Sequence, residues 1–116
     1  MGNKKIKKKI IISNNLIISN KHRCFIVAEI SANHSGSLSI LKKTMLKAKQ
    51  AGADAVKFQN YKTEDFISDR NMMYTYRNKG REVTEPQYDM FKRCELSLSD
   101  LYELKACCDE NKVESE

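Results

Sequence analysis

Glu29, Lys57 and Gln59 are the residues whose types and placement can do chemistry in this sequence. Glu29 closes the apolar run Cys24-Phe25-Ile26-Val27-Ala28 and is followed, after Ile30, by the polar loop Ser31-Ala32-Asn33-His34-Ser35-Gly36. A carboxylate delivered to the end of a buried strand can act as a base or orient a hydroxyl. The same spacing also fits a solvated strand-end glutamate. Lys57 and Gln59 end a second short run, Asp54-Ala55-Val56-Lys57-Phe58-Gln59. An ammonium facing a cavity is a partner for phosphate or carboxylate, and a Schiff-base role is open to it in principle. Its bland alternative is a lysine that snorkels to the rim. Gln59 shares the side of Lys57 and can hydrogen-bond a polar ligand.

The other candidates are weaker. His34 sits in a glycine-containing loop, where a structural hydrogen bond is the commoner role. His22 has no visible partner, and the two histidines lack metal spacing. Cys24, Cys94, Cys107 and Cys108 match no zinc or redox pattern, which points to reduced thiols and a cytoplasmic location. No glycine-rich phosphate loop occurs.

The elements that must position these groups can be read from periodicity. A strand over about residues 24–30 puts Val27, Glu29 and Ser31 on one side and Ile26, Ala28 and Ile30 on the other. A helix over 38–51 follows, capped by Ser37 and closed by Gly52, with Leu38, Leu41, Met45 and Ala48 on one stripe. The second strand spans about 54–59, so the unit is β-α-β with parallel strands. From Asn60 to about Val83 no period is sustained, which predicts a long functional or disordered loop. Thr84-Glu85-Pro86-Gln87 predicts a capped helix start, with Tyr88, Phe91 and Cys94 turned inward. Ser97-Leu98-Ser99-Asp100 predicts a capping box and a helix that buries Leu101, Leu104 and Cys108. Ahead of all this, residues 4–19 alternate and turn at Asn14-Asn15, a β-hairpin pattern.

Composition narrows the class. With 116 residues, 41% hydrophobic and 31% charged, this is at most one small globular domain. The expected division is 1–23, a basic segment with the hairpin, and 24–116, the β/α units. The net charge of +6 sits in the first part. Lys4, Lys5, Lys7, Lys8, Lys9, Lys21 and Arg23 precede the first acid, and taking those seven from the 21 bases leaves 14 against 15 acids. No aromatic residue interleaves the lysines to stack on bases, so nucleic-acid binding is not expected. No membrane span is expected either. The apolar stretch Ile10–Ile18 is broken by Ser13-Asn14-Asn15 and lacks a cleavage site, so no secretory signal is read there.

Phe25-Ile26-Val27-Ala28-Glu29-Ile30-Ser31-Ala32-Asn33-His34-Ser35-Gly36-Ser37 closely resembles the opening motif of the sialic acid synthase family, which includes the N-acetylneuraminate, legionaminate and pseudaminate synthases. Ala51-Gly52-Ala53-Asp54-Ala55-Val56-Lys57-Phe58-Gln59 resembles its second-strand motif, and Thr84–Tyr88 with Lys92–Leu96 its next helices. The resemblance implies an α/β fold, the N-terminal portion of a (β/α)8 TIM barrel preceded by a β-hairpin that plugs its bottom. It implies condensation of phosphoenolpyruvate with an N-acetylated amino sugar, release of inorganic phosphate, and a homodimer. Carried over, Glu29 matches the active-site acid, Lys57 the lysine that holds phosphoenolpyruvate, and Gln59 a glutamine that contacts the amino sugar. The family's divalent metal, manganese or magnesium, acts as a Lewis acid through histidines on later strands. No metal ligand is expected in this chain. A full barrel takes about 250 residues. The chain is therefore expected to be a truncated product that stops before or at strand three, poorly folded and catalytically silent by itself. Two other readings differ in their tests. An aldolase would form an imine at Lys57, trapped by borohydride. An interaction module would bind nucleic acid through residues 1–23 in a salt-sensitive way.

Overall fold

The structure, a computed structural model, describes residues 9–13 and 16–115. The expectations for Lys4, Lys5, Lys7 and Lys8 and for the turn at Asn14-Asn15 lie outside those residues. Strands β1 (Lys9–Ser13) and β2 (Leu16–Ser19) pair antiparallel, with Ile10 opposite Ile18 and Ile11 opposite Ile17.

The β-α-β unit follows as β3 (Val27–Ser31), α1 (Leu38–Gln50) and β4 (Ala55–Phe58). Helix α4 (Leu98–Glu110) then leads to β7 (Glu114–Ser115), and the parallel sheet has the order β3-β4-β7. Ser37 caps α1 by accepting the Ile40 amide at 3.3 Å. Gly52, at φ +100°, lets the chain leave the helix in a left-handed conformation. Alternation does the rest. Ile30 and Val56 face one side of the sheet and join Leu41 and Met45 of α1, Leu104 and Cys108 of α4, Leu96 and Val113 in a single buried cluster. Both helices therefore lie over one face, and Glu29 and Lys57 stand exposed on the other.

Register is clamped where β3 and β4 begin. The Asp54 amide donates to the Ile26 carbonyl at 2.8 Å, and the Asp54 carboxylate accepts the Ile26 amide at 2.9 Å. The same carboxylate, only 4% exposed, takes a bidentate pair from Arg23. Arg23 thus serves the sheet, where the charge pattern had grouped it with the basic tail.

The segment after β4 departs from expectation. It is not a structureless loop: it holds α2 (Thr63–Phe66) and a second hairpin, β5 (Met73–Asn78) with β6 (Arg81–Pro86). Lys79 and Gly80 both have positive φ, 50° and 78°, so the hairpin closes through a two-residue type I′ turn. One face of this hairpin is exposed, and the other, with Tyr76, Val83 and Glu85, is only partly buried and mixes polar with apolar residues, which blurred the alternation that marks a half-buried strand. Its formation also displaces the predicted helix start. Thr84 lies in β6, with its hydroxyl bonded to Thr75 at 2.9 Å, and α3 (Gln87–Arg93) begins three residues later behind Pro86. The Thr84 capping box is absent. The one at Ser97 is present, with both the Ser97–Asp100 side-chain bonds at 3.1 Å.

Candidate active site

Parallel register brings Glu29 directly opposite Lys57. The Lys57 Nζ lies 3.2 Å from Glu29 Oε2, and the two side chains are 52% and 44% exposed. Ser31 supports the same carboxylate by donating to Oε1 at 3.3 Å. It can do so because the pairing slips between Glu29 and Ser31 and Ser31 adopts φ +54°, which turns the chain out of the sheet. Gln59 is exposed one residue past the end of β4. The structure therefore joins Glu29 to Lys57 and leaves Gln59 beyond the strand's end.

His34 is buried, and its Nδ1 accepts the Gly36 amide at 3.0 Å. That bond requires an unprotonated Nδ1, and burial holds the imidazole below its usual 6.5. His34 is thus part of the loop's framework. Gly36, at φ +79°, backs onto α3: a Cβ there would collide with the Arg93 carbonyl oxygen.

Beyond Ser31 opens a groove of about 550 Å³, lined by Asn33, Ser35, Arg77, Asn78 and Arg93 among others. No carboxylate lines it. The sequence pattern missed the wall made by the β5–β6 hairpin, which it did not reveal; the helix that makes another wall was expected, with a different start. Arg93 donates to both oxygens of Glu85, each at 2.6 Å, and Glu85 also accepts the Tyr76 phenol at 2.6 Å. The guanidinium, then the phenol, hold the Glu85 carboxyl down at about 2.

The segment after Gln59 is anchored by a second network. Thr63, fully buried, gives its amide and hydroxyl to Glu95 at 3.2 and 2.8 Å. Lys92 bridges Glu95 and Glu64, and Tyr88 donates to Glu64 at 2.8 Å. Lys92 first, with Tyr88, lowers the Glu64 carboxyl to about 2. Tyr61, Phe66 and Phe91 stack edge to face beneath, and the Tyr61 hydroxyl donates to the Phe91 carbonyl at 2.8 Å.

Among the described residues no three His, Cys, Asp or Glu side chains converge to hold a metal ion. The cysteines are unpaired. No helix among the described residues is long and apolar enough to cross a membrane.

The comparisons with known proteins agree on one lineage. The profile of the NeuB family matches residues 44–115, a span that holds Lys57 and Gln59 and begins after Glu29. The N,N'-diacetyllegionaminic acid synthase of Legionella pneumophila is 39% identical over 79 residues, covering 68% of this chain and 22% of that protein. The N-acetylneuraminate-9-phosphate synthase of Mus musculus is 37% identical over 62 residues, covering 53% of this chain and 17% of its own length. The chain thus spans about a fifth of the length of the curated relatives it matches. Among solved structures, the N-acetylneuraminic acid (sialic acid) synthetase of Leptospira borgpetersenii in complex with citrate superposes with a TM-score of 0.72 at 22% identity. That likeness covers 92% of this chain and 32% of the other, and shows a shared fold. With the family profile spanning well over half of its residues, this α/β chain belongs to the NeuB family.

Proposed function

We propose that the chain forms the first two β/α units of a TIM-barrel synthase that joins phosphoenolpyruvate to an N-acetylated amino sugar. The observation that supports this reading is the Glu29–Lys57 pair, set on the open face of two adjacent parallel strands. Active sites of such barrels lie at the C-terminal ends of the strands, and both residues stand near those ends. In the reaction, C3 of phosphoenolpyruvate bonds to the sugar's aldehyde carbon. Water adds at C2, and inorganic phosphate leaves with the oxygen that linked it.

Each residue has a part in this proposal. Lys57 holds an anionic group of phosphoenolpyruvate. Glu29, steadied by Ser31, stands beside the reacting carbons and orients them or takes part in proton transfer. Gln59 hydrogen-bonds the amino sugar. The β1–β2 hairpin, whose Leu16 and Ile17 come alongside Arg23 and Asp54, closes the N-terminal end of the strands. A homodimer in the cytoplasm completes the reading, and a divalent metal, if held by residues outside this chain, would supply Lewis acidity. The described residues of this chain do not make a metal site by themselves, and no step assigned here depends on one.

Binding tests the assignment of Lys57. Saturation-transfer NMR on the 116-residue chain is expected to detect phosphoenolpyruvate and to lose it with Lys57→Met. Equal binding by both would remove Lys57 from the site. The chain alone is also proposed to be catalytically silent. Phosphate release from phosphoenolpyruvate and N-acetylmannosamine by the purified polypeptide would overturn that. An aldolase remains the second reading only if borohydride traps an imine at Lys57. The ion pair with Glu29 uses the ammonium form, whereas imine formation needs the free amine.

A further inference from the structure

The groove beyond Ser31 is walled by three elements that share no strand pairing. One wall is the loop after β3, with Asn33 and Ser35. A second is the end of β5, with Arg77 and Asn78. The third is α3, with Arg93. The β5–β6 hairpin forms its own two-stranded sheet and makes no ladder to β3-β4-β7. Its placement over the groove must therefore come from side chains and from its continuity with α3.

Arg93 is the point where the three walls meet. Its carbonyl oxygen abuts Gly36 of the loop. Its guanidinium takes both oxygens of Glu85 on β6, and Glu85 in turn takes the phenol of Tyr76 on β5. The Glu85 side chain is 18% exposed and that of Arg93 56%, so the pair is half-open to water, and its strength comes from the bidentate, charge-assisted geometry with a second donor from Tyr76. Tyr76 lies two residues before Asn78 on the same strand. One carboxylate thus ties both strands of the hairpin to the helix that also supports the loop.

We infer that Glu85 is a positioning residue: through Arg93 and Tyr76 it fixes the β5–β6 hairpin, and Asn78 with it, at a set separation from the loop after β3. The groove beyond Ser31 then has a width set by the fold. The clasp itself exists without the synthase reading, which enters in naming the probes and in seating the amino sugar in this groove.

The test uses the 116-residue chain. Residual dipolar couplings of the amides of Arg77 and Asn78 are compared with those of Ala28, Leu41 and Val56. N-acetylmannosamine affinity is measured in the presence of phosphoenolpyruvate. Glu85→Ala is expected to cut the hairpin couplings to about half and to weaken the sugar about tenfold, the scale of a lost network contact. The couplings of the sheet and α1 stay unchanged, and phosphoenolpyruvate affinity stays within about twofold. The exchange Glu85→Arg with Arg93→Glu restores the ion pair and most of the couplings. Unchanged hairpin couplings in Glu85→Ala would overturn the inference, as would a parallel loss of both affinities. If Glu85→Ala fails to fold, Glu85→Gln, which keeps an acceptor for Tyr76, decides by the same couplings. If the unaltered chain binds neither probe, the synthase reading fails, and the couplings alone judge the clasp.

Discussion

Glu29 and Lys57 are cross-strand neighbours whose charged ends meet at 3.2 Å in the absence of any ligand. Each is about half exposed, so their attraction is worth at most about 1 kcal/mol and a stronger anion displaces the carboxylate readily. Glu29→Gln frees the ammonium. It is expected to bind phosphoenolpyruvate up to about fivefold more tightly, the factor that corresponds to that energy. Thermal unfolding is expected to change little. Weaker binding in titration calorimetry would mean that Glu29 assists the anion and does not compete with it.

Gly36 is the tightest steric junction between the loop after β3 and α3. Its φ of +79° disfavours any side chain, and a Cβ would strike the Arg93 carbonyl. Gly36→Ala is expected to cost about 2 kcal/mol or more, from strain and overlap together. Urea midpoints measure it. A loss below about 0.5 kcal/mol, the size of an ordinary surface change, would show that loop and helix move apart freely.

Helix α4 depends on its reciprocal cap. Ser97→Ala removes the acceptor of the Asp100 amide and is expected to cost about 1 kcal/mol. Thr84→Ala removes only a cross-strand hydroxyl pair and should cost less, on the order of 0.5 kcal/mol. Reversal of that order in chemical denaturation would restore Thr84 as a helix cap.

Acid should weaken the fold over two pH windows. Burial lowers the His34 pKa, so the folded state resists a proton that the unfolded chain accepts below about 6.5. Stability from this source is full above that pH and declines as pH falls. Glu64 and Glu85 have folded values of about 2 against an ordinary 4.5, so their contribution is present above 4.5 and is lost as pH falls toward 2. Glu64→Gln and Glu85→Gln are expected to flatten the slope between pH 4.5 and 2 and leave the His34 window intact. An unchanged slope in denaturation against pH would mean that neither ion pair forms in solution.

Much of the β-α-β unit was legible before the structure. Leu41 and Met45 recur at helical spacing and are fully buried; Ser37 and Gly52 bound the helix as their chemistry requires. Glu29 and Ile30 separate to opposite faces as a strand demands. The β5–β6 hairpin was not legible. Tyr74, Thr75 and Tyr76 carry β-forming side chains, but neither face is buried in the parallel-sheet core, and Lys79 is an unusual first residue for a type I′ turn.

By itself, then, the sequence determined the strands and helices of the β-α-β unit and of α4, and which side of each is buried. Those outcomes follow from desolvation and capping among near neighbours. It also carried the motifs by which the family is known. Only the tertiary structure decided that Arg23 clamps Asp54, that Glu85 locks Arg93, and that Lys57 stands opposite Glu29. Each of those pairs joins residues on separate elements, and their meeting depends on strand register and on the path of the chain between them, which local pattern does not encode.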